Sequence, residues 1–178
     1  VMLCMNYDSL KGVLLRRTMP ELRNNHIIPL RSELHGYAKY NQDERSFLFP
    51  NGSRLLLGYC DNEGDLLQYQ GQEFDFIIFE EATHFPEEWI TFINTSLRTT
   101  RTDFEPRVYY TTNPGGVGHE FIKRIFIDKN YKETEKPEDY VFIQASVYDN
   151  KVLMDANPEY IDMLKALPEH KRKAHLDG

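Results

Sequence analysis

Cysteine is scarce in this 178-residue chain: Cys4 and Cys60 are too few and too far apart for a disulfide framework or a zinc site. Free thiols in a reduced, intracellular compartment are therefore expected. No apolar run approaches the length of a membrane span, and the amino terminus lacks the basic, apolar, small-residue order of a secretion signal, so a soluble protein is expected. Repeats and low-complexity segments are also absent. The most telling absence is local. No Gly-x-x-x-x-Gly-Lys-Ser/Thr run occurs, which excludes a phosphate cradle of that kind within these residues. The chain opens at Val1 on an apolar stretch that reads as the middle of a helix, so further sequence is expected upstream.

What is present suits a folded domain. A hydrophobic fraction of 40% and an aromatic fraction of 13% are globular values, and the 28% of charged residues are interspersed rather than run together. One core of ordinary size is expected. A net charge of −7 argues against a surface devoted to wrapping nucleic acid, while leaving room for a few local basic contacts.

Along the chain, short apolar runs alternate with helical patterns. Residues 1–7 read as the tail of a buried helix and 13–18 as a short buried strand. A helix is expected from Pro20 to about Leu34, capped by Thr18. Residues 47–49 and 54–59 flank Pro50, Asn51, Gly52 and Ser53, the chemistry of a hairpin turn. Residues 65–69 suggest a short helix or turn, 75–79 a strand, and 86–97 a helix opened by Pro86 with Glu87 and Glu88 in its first turn. Further strands are expected at 107–111 and 140–145, with a helix at 118–127 between them. After Asp149 only helices are expected, one starting near Asn157 and one from Pro168 to Lys173. The alternation predicts an α/β fold: a mostly parallel sheet with helices on both faces, carrying a β-hairpin and a helical carboxyl-terminal tail. Ligands of such sheets gather at the carboxyl ends of the strands.

Two polar motifs sit at those ends. The apolar run 74–79 ends in Glu80 and Glu81, and the run 108–110 ends in Thr111, Thr112 and Asn113, followed by Pro114, Gly115 and Gly116. A nucleotide hydrolase needs one carboxylate to orient hydrated Mg²⁺ and a second to polarise the attacking water. Glu80 and Glu81 supply both charges. Successive strand residues point to opposite faces, so both can face one ligand only if the chain turns here, and Ala82, Thr83 and His84 offer that turn. An acidic pair before a helix is also common dipole chemistry, and Asn-Pro-Gly alone is common turn chemistry. The two motifs on neighbouring strands outweigh these plainer readings.

Together the two motifs resemble the ATPase domain of tailed-phage terminase large subunits, the motors that package DNA into proheads; residues 13–23 and 157–178 look like it as well. The resemblance implies a P-loop NTPase-like core whose first strand and phosphate loop are missing here, with residues 1–149 as the truncated ATPase core. Residues 150–178 would lead to a nuclease domain beyond the chain. It implies ATP and Mg as cofactors, Glu81 as the catalytic base and Glu80 at the metal position. Thr111, Thr112 and Asn113 would form the motif coupling hydrolysis to movement. The family usually has Asp where Glu80 stands; the extra methylene calls for a shifted backbone or Mg²⁺ contact through water. Expected partners are double-stranded DNA, a portal protein, a small terminase subunit and further copies in a homo-oligomeric ring. The expected setting is the cytoplasm of the infected bacterial host, with no membrane association. Without the upstream loop the chain itself is expected to be inactive.

The basic residues carry a plainer expectation. Arg16 and Arg17, at a strand end, could meet phosphate or a neighbouring subunit, but they and the run His170, Lys171, Arg172 and Lys173 read mainly as solvated or dipole-compensating charges. An arginine finger from an adjacent subunit is left open among Arg98, Arg101 and Arg107. Trp89, Tyr109 and Tyr110 read as core, and His84 and His119 lack the companions of a metal site. Two alternatives remain: a helicase-like ATPase, which would continue into a second similar domain, and a non-catalytic interaction module with a degenerate nucleotide-hydrolase fold.

Overall fold

A computed structural model describes residues 1–169 and 172. The chain divides into two compact units, Val1–Thr112 and Asn113–Gly178. The first holds a six-stranded sheet in the order β2-β3-β4-β1-β5-β6. Its strands are β1 (Lys11–Arg16), β2 (Lys39–Asn41), β3 (Ser46–Leu48), β4 (Arg54–Tyr59), β5 (Phe76–Glu80) and β6 (Arg107–Thr111). β1 lies between β4 and β5, parallel to both, and β5 is parallel to β6. The antiparallel pairs β2–β3 and β3–β4 complete the other edge. The hairpin forms where expected, with Gly52 at φ 82°. Its Asn51 Nδ2 donates to the carbonyls of Cys4 (2.9 Å) and Tyr7 (3.1 Å), tying the turn to α1 (Met2–Asn6).

Consecutive residues Phe76 and Ile77 are both fully buried, as are Gly12 and Val13, so both faces of the central strands are covered. One face packs Phe76 with Leu10, Leu22, Ile27, Leu55, Leu57 and Phe104. On the other, the Phe79 ring stacks with Tyr110 at 5.6 Å and meets Phe85 edge-on at 5.4 Å. Burial pushes the thiol of Cys4 up to about 11 and that of Cys60 to about 12; both are free.

A Cβ on Gly12 would lie 1.9 Å from the Phe76 ring, so the strand can pass under that ring only as glycine. Gly12→Ala is expected to cost about 1–3 kcal/mol through forced displacement of the ring, read as a lower urea midpoint at unchanged slope. An unchanged midpoint would show that Phe76 repacks freely.

The helix expected from Pro20 forms as α2 (Met19–Leu22), a π turn (Arg23–Ile27) and α3 (Ile28–Glu33). Thr18 caps it, its Oγ1 accepting from the Glu21 N–H at 3.4 Å. Pro29 explains the π turn. It cannot donate to the carbonyl four residues back, and the ladder widens just before it, with the Ile28 N–H bonding to the Arg23 carbonyl.

The helix expected at 86–97 forms as α4 (Glu87–Asn94). The second unit has α5 (His119–Ile122) running into a π turn (Lys123–Ile127), then α6 (Lys151–Ala156) and α7 (Tyr160–Lys165). Arg124 holds Glu135 with two hydrogen bonds, 2.7 and 2.9 Å, which bring the Glu135 carboxyl down to about 2. Tyr140 stacks on Tyr131 at 5.5 Å. The strand expected at 140–145 does not form; Val141, Phe142 and Ile143 are exposed. An apolar run becomes a strand only with a ladder partner, and among the described residues this run has none. Of the expected helix from Pro168 to Lys173, only 169 and 172 beyond Pro168 are described, both helical. His170, Lys171 and Lys173 of the cationic run lie outside the described residues. No helix among the described residues is long and apolar enough to cross a membrane.

Candidate active site

The parallel strands β1, β4, β5 and β6 all end at one edge of the sheet. Parallel register places Leu15 beside Phe79 and Glu80 beside Thr111, so Arg16, Glu80 and Thr111 end three adjacent strands in one row. Glu81 is the next residue, and there the backbone turns left-handed, φ 53° and ψ 55°. A glutamate in this region costs about 1–2 kcal/mol, a strain associated with functional positions. A short 3-10 turn, Ala82–His84, follows, with Ala82 and Thr83 buried. The reversal that two adjacent carboxylates need in order to share a side of the sheet is present at the second of them.

Glu80 is held from two directions. Arg16 Nη1 lies 3.5 Å from its Oε2, and His26 Nε2 is in contact with the same oxygen. Burial raises the Glu80 carboxyl above its ordinary range, Arg16 opposes the rise, and the charges of Glu81 and Glu21 add to it. Burial lowers the His26 imidazole, and Arg16 lowers it further. A neutral His26 facing an ionised carboxylate carries its proton on Nε2 and donates to Glu80. Among the described residues, the buried Arg16 Nε and Glu21 Oε2 near this group have no hydrogen-bond partner.

Thr111 closes β6, and the exposed Asn113 opens the second unit, with left-handed Gly115 and Gly116 after it. The structure thus joins Glu80, Glu81 and Thr111 along one edge through strand register, while Asn113 belongs to the other unit. Two contributors were missed from sequence, His26 and Glu21, and a third, Arg16, was read mainly as a solvated charge. Arg16 had a signal, since it ends an apolar strand as Glu80 does. It is buried and paired, in contrast to the solvated role expected. His26 had none, because its position depends on the π turn. Arg17 is also engaged: it contacts the Cys60 carbonyl, lies 3.5 Å from Asp61 and sits 4.6 Å over the Trp89 ring.

Tyr109 is exposed on β6, in contrast to the core position expected, and Trp89 and Tyr110 are half-buried. Arg98, Arg101 and Arg107 all lie toward the amino ends of the strands. Arg98 pairs with Glu73 and Arg107 with Glu105, and Arg101 binds Asp103 and the Asp8 carbonyl. His84 is exposed, and His119 Nδ1 accepts from the Gly115 N–H. No group of three or more metal-ligating His, Cys, Asp or Glu side chains occurs among the described residues.

This is an α/β fold whose mostly parallel sheet brings an acidic strand end beside a threonine strand end. The match to the family described as terminase large subunit, T4likevirus-type, N-terminal, extends over residues 1–178, and the chain belongs to that family. The fold is similar to the large terminase of a thermophilic bacteriophage, at TM-score 0.75 and 18% identity, covering 98% of this chain and 42% of that one. The same phage protein in complex with ADP is similar at TM-score 0.72 and 17% identity, covering 97% and 41%. The large terminase ATPase domain of Thermus phage P74-26 is similar at TM-score 0.56 and 13% identity, covering 95% and 76%. The chain therefore spans about two fifths of the length of the thermophilic bacteriophage protein. No curated protein matches it in sequence.

Proposed function

We propose that this chain is a portion of the ATPase domain of a motor that moves double-stranded DNA into a prohead. The observation that carries the reading is the left-handed turn at Glu81, which reverses the chain directly after Glu80 at the carboxyl end of β5. The large terminase of the thermophilic bacteriophage forms complexes with ADP and ATP-gamma-S, and in this chain nucleotide would bind along the strand ends that carry Glu80 and Thr111. Glu80 would hold magnesium through water, using the carboxylate oxygen that faces away from Arg16 and His26. The donors suit that ion: it is bound by one or two carboxylates and keeps several waters, and the orphaned Glu21 Oε2 is an acceptor for such a water. Magnesium held there would supply charge neutralisation to the nucleotide's phosphates.

Glu81 accepts a proton from the attacking water and orients that water toward the γ-phosphate. Thr111, Thr112 and Asn113 sense loss of the γ-phosphate at the end of β6 and couple it to movement. Residues 1–149 form the ATPase core on this reading, and residues 150–178 a helical segment after it. The remaining partners are a portal protein, a small terminase subunit and further copies in a ring, in the cytoplasm of an infected bacterium.

The full-length polypeptide carrying this sequence is expected to hydrolyse ATP only with Mg²⁺, and faster with double-stranded DNA. The 178 residues alone, without a Gly-x-x-x-x-Gly-Lys-Ser/Thr run, are expected to turn over negligibly. A full-length protein with no Mg²⁺-dependent turnover would sink the reading. Brisk turnover by the isolated chain would sink its second half.

A further inference from the structure

Glu80 has one more rotatable bond than an aspartate, and a carboxylate meant to orient an ion's water shell must be held in one rotamer. Two groups could hold it, and they act differently. Arg16 is fixed by β1, almost fully buried, and approaches Glu80 Oε2 at 3.5 Å, a charge contact too long for a strong hydrogen bond. His26 comes from the helix after β1 and meets the same oxygen in direct hydrogen-bonding contact. Both contacts fall on Oε2, so the opposite oxygen is left facing away from them.

We propose that His26 is a positioning residue: its Nε2–H fixes the Glu80 carboxylate so that the other oxygen is presented to the metal's water shell. The inference rests on the assignment of Glu80 to the metal position made above. The π turn is what delivers the imidazole. In Arg23–Ile27 the helix widens, and Ile27, next to His26, is buried in the core, which anchors the backbone that carries the ring. The His26 side chain is 16% exposed and that of Glu80 29%, so both partners of the contact are partly withdrawn from water. Hydrogen-bonding partners of metal-orienting groups act by fixing their orientation, and their loss typically weakens metal affinity or activity by about 10- to 100-fold.

The test is made in the full-length polypeptide carrying this sequence, with ATP turnover followed as a function of Mg²⁺. Separately, Mg²⁺ affinity of the nucleotide-bound protein is measured by isothermal titration calorimetry, and loss of the His26 donor is expected to weaken it about 10-fold. His26→Ala is expected to lower kcat about 10-fold or more and to raise the Mg²⁺ needed for half-activation by a similar factor, with the KM for ATP nearly unchanged. His26→Gln, whose amide nitrogen can reach the same oxygen, is expected to recover most of both losses. If His26→Ala does not fold by circular dichroism, His26→Leu keeps the bulk without the donor and takes its place. Wild-type Mg²⁺ dependence in the donor-free variant would overturn the proposal, as would a Gln variant as impaired as the donor-free one. Glu80→Gln is run alongside. If that variant keeps wild-type turnover and Mg²⁺ dependence, the metal assignment of Glu80 fails and the role of His26 falls with it. If Glu80→Gln is inactive and the donor-free variant is normal, the role of His26 alone fails.

Discussion

Glu81→Gln in the full-length polypeptide carrying this sequence is expected to cut ATP turnover by about 10³-fold, the scale of losing a general base, while leaving ATP affinity within a small factor. The substitution keeps size, rotamer and backbone. Glutamine occupies the left-handed region with about the same difficulty as glutamate, so the strained turn at φ 53° is unchanged. What disappears is the negative oxygen that takes a proton from water. ATP binding depends on the phosphate cradle and the metal, neither of which Glu81 is proposed to hold. The measurements are steady-state turnover and equilibrium binding of a nucleotide analogue. Turnover within about threefold of wild type would remove Glu81 from catalysis, because such an effect is far below what a base contributes. Weakened binding at unchanged kcat would instead make it a ground-state contact.

Phe76→Ala is expected to be the most damaging single change to the fold, costing about 3–5 kcal/mol. Phe76 is fully buried, lies across Gly12 on the neighbouring strand and contacts Phe104 at 6.5 Å between ring centres. Its removal opens a void where the rigid sheet cannot collapse, and small domains hold only about 5–15 kcal/mol in total. The check is a urea titration of the purified chain. A loss under about 1 kcal/mol would mean that the neighbouring side chains close the space. The Gly12→Ala, Phe76→Ala double variant adds a sharper reading. The new methyl enters the vacated volume, so the two costs should sum to more than the double variant shows.

The parallel core was legible because its strands are short apolar runs ending in charge or hydroxyl, and those ends fell into one row. Arg107–Thr111 matched the expected strand at both limits, and the turn implied by Glu80 and Glu81 appeared as the left-handed Glu81. The misses share a physical origin in partners that no local pattern encodes. Residues 140–145 have the composition of a strand and, among the described residues, no ladder. Tyr109 looked like core on an apolar strand, but β6 is the last strand of the sheet and leaves it exposed. β2 is three residues long and too short to show a period. At the site, Glu80 and Glu81 were legible by type, while the pairing of Glu80 with Arg16 and His26 depended on register and on a local change of helix geometry.

That change of geometry also bears on how this sequence should be compared with its relatives. A π turn is an α-helix with one residue too many, and one residue corresponds to a rotation of about 100°. Deleting one position between 23 and 27 would leave both flanking helical pieces intact in sequence while turning one against the other by that angle. Leu22 and Leu34, buried on either side of the turn, could not then keep their places together. A relative with this helix one residue shorter would carry its gap here, and a histidine aligned with His26 across that gap would point elsewhere. Descent of the Glu80 contact is therefore traced by helix length as much as by residue identity.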